Sequence, residues 1–135
     1  MLVDSGPLVA AADAGDPHHV ECRRLLERQR GPLLVPVLVV SEVAYLLQRA
    51  AGPLIELRFM ADIIEGTYEP LPVDPPDWVR IAELGLRYRD LSLGTVDASV
   101  VAAAERLRIT QIATLDRRHF SVVRPAHVDA FELLP

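Results

Sequence analysis

Apolar residues fall along the chain in short blocks, and the spacing within each block predicts its conformation. Met1–Val3 is a short apolar run that ends at Asp-Ser-Gly and reads as a first strand. Between Pro17 and Arg30, Val20, Cys22, Leu25 and Leu26 are set against Arg23, Arg24, Glu27 and Arg28, an amphipathic helix closed by Gly31. Leu33–Val35 is a second strand. Pro36 then stands where a first helical turn tolerates it, and the run VLVVSEVAYLLQRA continues as a largely buried helix up to Gly52. Pro53 opens a further helix through Ile64, ended by Gly66. The stretch Tyr68–Val73 is extended, and Pro70 and Pro72 confine it to a sheet edge.

The second half repeats the alternation. Asp74–Asp90 reads as a helix with Trp78, Ile81, Ala82, Leu84 and Leu86 apolar. Thr95 is placed to cap a helix over Val96–Leu107, where Val100, Val101, Ala104 and Leu107 form the apolar stripe. Ile109–Leu115 and Phe131–Leu134 are the remaining strands. Strands separated by helices of this length predict an α/β domain with a mainly parallel central sheet flanked by helices. No repeat or linker divides the 135 residues, so one domain over 1–135 is expected.

Composition narrows the class. Half the residues are hydrophobic and 24% are charged, as in an ordinary globular protein. No apolar run reaches the roughly 18 residues of a membrane span, and the opening lacks the basic region of a secretory signal. A single cysteine, Cys22, offers neither an internal disulfide nor a thiolate zinc site. The expectation is a soluble, cytoplasmic protein without a membrane partner. All 14 basic residues are arginine, against 19 acids, for a net charge of -5. That balance argues against coating nucleic acid by bulk electrostatics but leaves room for an acidic metal centre flanked by arginines.

Most acids, Asp13, Asp16, Glu21, Glu27, Asp62, Glu65, Asp77, Glu83 and Glu105 among them, fall on polar faces or in turns and read as solvated surface. Four stand apart. Asp4 follows the first strand at its carboxyl end, and Asp116 follows the strand through Leu115 in the same way. In open parallel sheets, ligands bind in the crevice outside the carboxyl ends of the strands. Glu42 has Leu38, Val39, Tyr45 and Leu46 three and four positions away, so it is expected to be buried. An unpaired carboxylate there would cost several kcal/mol and demands either an arginine or a cation. Asp97 opens its helix, where the helix dipole alone would stabilise it by about 0.3 to 1 kcal/mol. Convergent carboxylates without His or Cys form the ligand set of a hard cation, Mg²⁺ or Mn²⁺, and such ions serve phosphoryl transfer. His18 and His19 are adjacent and point apart on a helix, which speaks against a histidine metal site there.

The segments MLVDSGPLVA, VPVLVVSEVAYLL, GTVDASVVAAAERL and IATLDRRHF, in this order, resemble the PIN-domain ribonucleases, and among these the VapC toxins of bacterial toxin–antitoxin pairs. The resemblance covers essentially the whole chain. It implies that Asp4, Glu42, Asp97 and Asp116 are the catalytic, metal-binding acids, with Ser5 and Thr114 supporting the metal shell through water. It further implies a Mg²⁺- or Mn²⁺-dependent endoribonuclease, commonly a homodimer, acting on an RNA substrate and inhibited by a cognate VapB-like antitoxin. Asp90 could approach the centre or remain a loop acid. Arg117, Arg118, His119 and Arg124 follow Asp116 and could hold RNA phosphate or form a solvated turn. Arg23, Arg24, Arg28 and Arg30 read as a surface helix flank.

Rival readings exist. A receiver-type signalling domain wants paired acids at its first strand and a late lysine; an aspartyl-phosphate phosphatase wants Asp-x-Asp and a lysine. This chain has Asp-Ser-Gly-Pro and no lysine. A metal-free oligomerising module leaves Glu42 unexplained, and a PIN-domain RNA-processing nuclease outside a toxin–antitoxin pair shares the chemistry.

Overall fold

The computed structural model describes all residues, 1–135. Five strands form one sheet: β1 (Leu2–Val3), β2 (Leu33–Pro36), β3 (Tyr68–Leu71), β4 (Gln111–Ala113) and β5 (Glu132–Leu134). The helices are α1 (Ser5–Ala12), α2 (His19–Arg28), α3 (Val37–Ala51), α4 (Pro53–Ile64), α5 (Pro75–Arg87), α6 (Thr95–Leu107) and the single turn α7 (Arg117–Phe120). A 3₁₀ turn, Arg89–Leu91, joins α5 to the loop before α6. Strand order is β3-β2-β1-β4-β5, and every pairing is parallel. The α/β class and the parallel sheet expected from the pattern are both present.

This order places the functional end of the molecule. From β1 the chain builds outward through β2 to β3, then returns to the other side of β1 for β4 and β5. The direction of winding therefore reverses between β1 and β4, and a crevice opens at the carboxyl ends of strands at such a switch point. The register pairs Leu2 with Ile112 and Val3 with Ala113. Asp4 and Thr114 are thus brought side by side, and the Asp4 N–H donates to the Ala113 carbonyl at 2.9 Å.

The core supplies the rigidity behind this end. Leu2, Val3, Val35 and Ile112 of the sheet are fully buried against Val39, Val43 and Leu47 of α3 and Val100, Val101 and Ala104 of α6. The α3 stripe runs at i, i+4 and i+8, the spacing of one helix face. At the edge, β3 keeps Pro70 opposite Val35 in the ladder, as a strand with one free side allows.

Several elements differ from the sequence expectations. Helix α1, for which the pattern gave no element, follows β1 after only Asp4. Pro7 stands third in this helix, where its missing N–H has no partner to lose. Gly94, not Thr95, is the residue before α6, and Thr95 is its first helical residue. The predicted Asp74–Asp90 helix ends at Arg87 and passes into the 3₁₀ turn. Two acids expected on the surface hold the α5–α6 pair together instead. Asp77, 6% exposed, accepts from Arg106 Nε at 3.0 Å and closes a capping box with Asp74. Glu105 takes a two-pronged bond from Arg80, at 2.7 and 2.9 Å. Their partners lie 29 and 25 residues away, beyond the reach of helical spacing rules.

Candidate metal centre

Each of the four acids reaches the crevice from a different element. Asp4 leaves the carboxyl end of β1 and is the residue before α1; Asp116 follows β4 and precedes α7; Glu42 is in the second turn of α3; Asp97 is in the first turn of α6. Together with Ser5, Gly6 and Leu115 they line one open depression of about 470 Å³. Asp90 stays outside it, exposed on the 3₁₀ turn.

Asp4 is the innermost, 4% exposed. Thr114 Oγ1 donates to its Oδ2 at 2.8 Å and accepts from the Asp116 N–H at 3.0 Å. One hydroxyl therefore fixes two of the acids directly, where the resemblance implied support through water. Asp4 Oδ1 is buried and has no hydrogen-bond partner. Burial pushes the Asp4 carboxyl up to about 6; the Thr114 hydroxyl and the nearby Ser5 backbone N–H oppose this, and the charges of Asp97 and Glu42 add to it. Desolvation likewise raises Asp97, against the neighbouring His119 ring and with the charges of Asp116 and Glu42.

Glu42 is half-buried rather than buried, because Tyr45 and Leu46 on its flank face outward at 56% and 37% exposure. It pairs with no arginine, so the salt-bridge explanation of this residue fails. The Ser5 hydroxyl lines the depression without a bond to any of the acids. Arg117 and Arg118 are exposed on α7 beside Asp116, and Arg117 is engaged with the Pro135 carbonyl.

One participant escaped the sequence reading, which placed it among candidate phosphate contacts. His119 Nδ1 lies 2.9 Å from Asp97 Oδ2 and 3.0 Å from Asp116 Oδ2, although neither contact has hydrogen-bond alignment. The available signal was its position three residues after Asp116, which puts both side chains on one helical turn.

These residues fit a divalent cation. A buried carboxylate oxygen without a donor is costly in the protein alone, and an ion beside it removes that cost. The donor set is rich in carboxylate oxygen, as Mg²⁺ and Mn²⁺ require. A second depression of similar size, about 480 Å³, is lined by Leu8, Leu26, Phe59 and Tyr68 with Arg23, Arg58, Glu27 and Asp62. It gathers no three donors close enough to share an ion.

The Thr114 hydroxyl carries a measurable consequence. Thr114→Val leaves a buried carboxylate and a backbone N–H without partners and should cost about 2 kcal/mol of stability. It should also weaken Mn²⁺ binding by on the order of 10-fold, as loss of a supporting hydrogen bond does at metal sites. Thr114→Ser should restore both; melting curves and calorimetric Mn²⁺ titration of the two variants check this.

A family model described as the PIN domain matches residues 1–124. The chain is 32% identical to Ribonuclease VapC26 of Mycobacterium tuberculosis over 135 residues, the whole of both proteins. Its fold resembles the crystal structure of Mycobacterium tuberculosis VapC20, described as a sarcin-ricin loop cleaving toxin, with a TM-score of 0.84 at 22% identity. That match covers 95% of this chain and 98% of the other. A family model that spans nearly the whole chain, over a sheet whose switch point gathers the acids, means that this protein belongs to the PIN-domain family.

Proposed function

We propose that this protein is a divalent-metal-dependent endoribonuclease and the toxin of a toxin–antitoxin pair. The observation that carries the activity is the convergence of Asp4, Glu42, Asp97 and Asp116 on one depression, with the buried Asp4 Oδ1 unpartnered. Full-length similarity to a VapC ribonuclease supports the toxin role.

Asp4, Asp97 and Asp116 would hold Mg²⁺ or Mn²⁺, with Glu42, which lines the same depression, able to bind the ion or a water beside it. A bound ion supplies Lewis acidity at a phosphodiester and makes water nucleophilic near neutral pH. The protein's own part is preorganisation. Thr114 holds Asp4 and the Asp116 backbone in one geometry, so the carboxylates need not rearrange when substrate arrives. Arg118 carries a guanidinium with no partner in the protein, next to the acids, and would bind an RNA phosphate in a bidentate manner. Arg117 would assist once released from Pro135. The Ser5 hydroxyl would hydrogen-bond a water in the same depression.

As a toxin the protein would act on cellular RNA in the cytoplasm as a homodimer, held inactive by a VapB-like antitoxin. No helix is long and apolar enough to cross a membrane. The test is cleavage of end-labelled structured RNA. Internal cuts should appear with Mg²⁺ or Mn²⁺, vanish in excess EDTA and return when metal is restored. Robust cleavage in EDTA by protein free of contaminating nuclease overturns the mechanism. Metal-dependent cleavage without growth arrest on expression would favour an RNA-processing role outside a toxin–antitoxin pair.

A further inference from the structure

The orientation of His119 extends the donor set beyond oxygen. Its Nε2 lies 3.2 Å from the Leu91 carbonyl, which can only accept, so Nε2 carries a proton, and Nδ1, which offers a lone pair in the neutral ring, is the nitrogen turned to the acids. A ring nitrogen donating to a backbone carbonyl while the other faces a cluster of ligands is the way proteins orient a metal-binding histidine. On the acid side, Asp116 Oδ1 accepts the His119 backbone N–H at 3.1 Å, which leaves Asp116 Oδ2 turned toward the ring.

The spacing agrees. Donors at right angles on an ion with bonds of about 2.1 Å lie about 3.0 Å apart. The Nδ1 separations from Asp97 Oδ2 and Asp116 Oδ2 are 2.9 and 3.0 Å, and one oxygen of each acid and the nitrogen all lie within 4.8 Å of one another. His119 is not itself a lining residue of the depression, but its two acid neighbours are, beside Asp4, whose buried Oδ1 has no partner, an independent sign that a cation belongs among these acids.

We propose that His119 Nδ1 joins Asp97 and Asp116 as a metal ligand and makes the centre discriminate in favour of transition ions, Mn²⁺ among them, over Mg²⁺. The proposal rests on the carboxylate centre described above. Mg²⁺ is a hard ion that takes oxygen and keeps its waters, whereas first-row transition ions accept imidazole. The nitrogen therefore adds affinity for one class of ion and little for the other.

Electron spin-echo spectroscopy of Mn²⁺ bound to the full chain reads the nitrogen directly. Wild type should show ¹⁴N modulation from one coordinated imidazole, absent in His119→Gln, which offers an oxygen but no ring nitrogen. Calorimetric titration should show the variant losing on the order of 10-fold or more in Mn²⁺ affinity, while Mg²⁺ affinity changes by less than about a third of that factor. Circular dichroism confirms that the variant is folded, and the wild-type spectrum stands even if it is not. Stoichiometric Mn²⁺ binding to wild type without nitrogen modulation overturns the histidine ligand and leaves the carboxylate centre intact. Failure of wild type to bind Mn²⁺ at all overturns both.

Discussion

Asp4→Asn, Asp97→Asn and Asp116→Asn should each lower RNA cleavage by at least about a thousandfold, the effect of withdrawing several kcal/mol of metal-based stabilisation from the transition state. Each substitution keeps the shape of the side chain and removes the charge that would bind the ion. Glu42→Gln should lose less, since Glu42 is only half-buried, has no hydrogen bond to fix it, and stands outside the group of Asp97, Asp116 and His119 whose ligand atoms lie within 4.8 Å of one another. Glu65→Gln, exposed at the end of α4, should behave as wild type. Single-turnover cleavage at saturating Mn²⁺ separates the cases, and growth arrest on expression should follow the same order. Wild-type rates from the Asp97 or Asp116 variants would reduce those acids to helix-start residues stabilised by the dipole alone.

In chelator, the same Asp4→Asn change should raise stability. The Asp4 carboxyl titrates near 6 in the folded protein against an ordinary value of 3.8. Between those values the folded state binds a proton that the unfolded state has released, so stability falls as pH rises through this window. Above about pH 7 the folded protein bears the full cost of a buried charge, about 3 kcal/mol from the separation of the two values. The variant carries no such charge. It should melt above wild type at pH 7.5 in EDTA, converge with it as pH falls, and match it below about pH 4. Saturating Mn²⁺ should invert the order at pH 7.5, because only wild type gains the full binding free energy. Melting curves across pH, with EDTA and with Mn²⁺, provide the check. A variant less stable than wild type at every pH in EDTA would mean that Asp4 is a structural carboxylate.

Much of the candidate centre was legible because the meeting of its acids depends on two local features, strand ends and helix faces. Asp4 and Asp116 stand directly after apolar strands, and parallel pairing of those strands suffices to bring them together. The α3 and α6 stripes are continuous enough to mark their helices. Less was legible where the decisive contact is distant or the local signal is ambiguous. Asp-Ser-Gly-Pro has turn chemistry, yet it starts α1 because β1 ends at Val3 and the helix packs against α2 and α3. Glu42 has apolar neighbours in sequence, but α3 buries its Val39, Val43 and Leu47 face and leaves Tyr45 and Leu46 outward, with the carboxylate half-open. Asp77 and Glu105 look solvated until α5 and α6 are laid side by side and Arg106 and Arg80 reach them. His119 could be read as one more basic residue in an arginine-rich turn; only the approach of α6 to α7 turns its ring toward Asp97.

The most direct measurement of the centre is anomalous diffraction at the manganese edge from crystals of the wild-type protein soaked in Mn²⁺. A strong peak should lie in the depression at the carboxyl ends of β1 and β4, within about 2.3 Å of oxygens from at least two of Asp4, Asp97 and Asp116. The peak should be lost in Asp97→Asn crystals. No peak there in wild type, while the soaked protein still cleaves RNA, would contradict a carboxylate metal centre as the source of the activity.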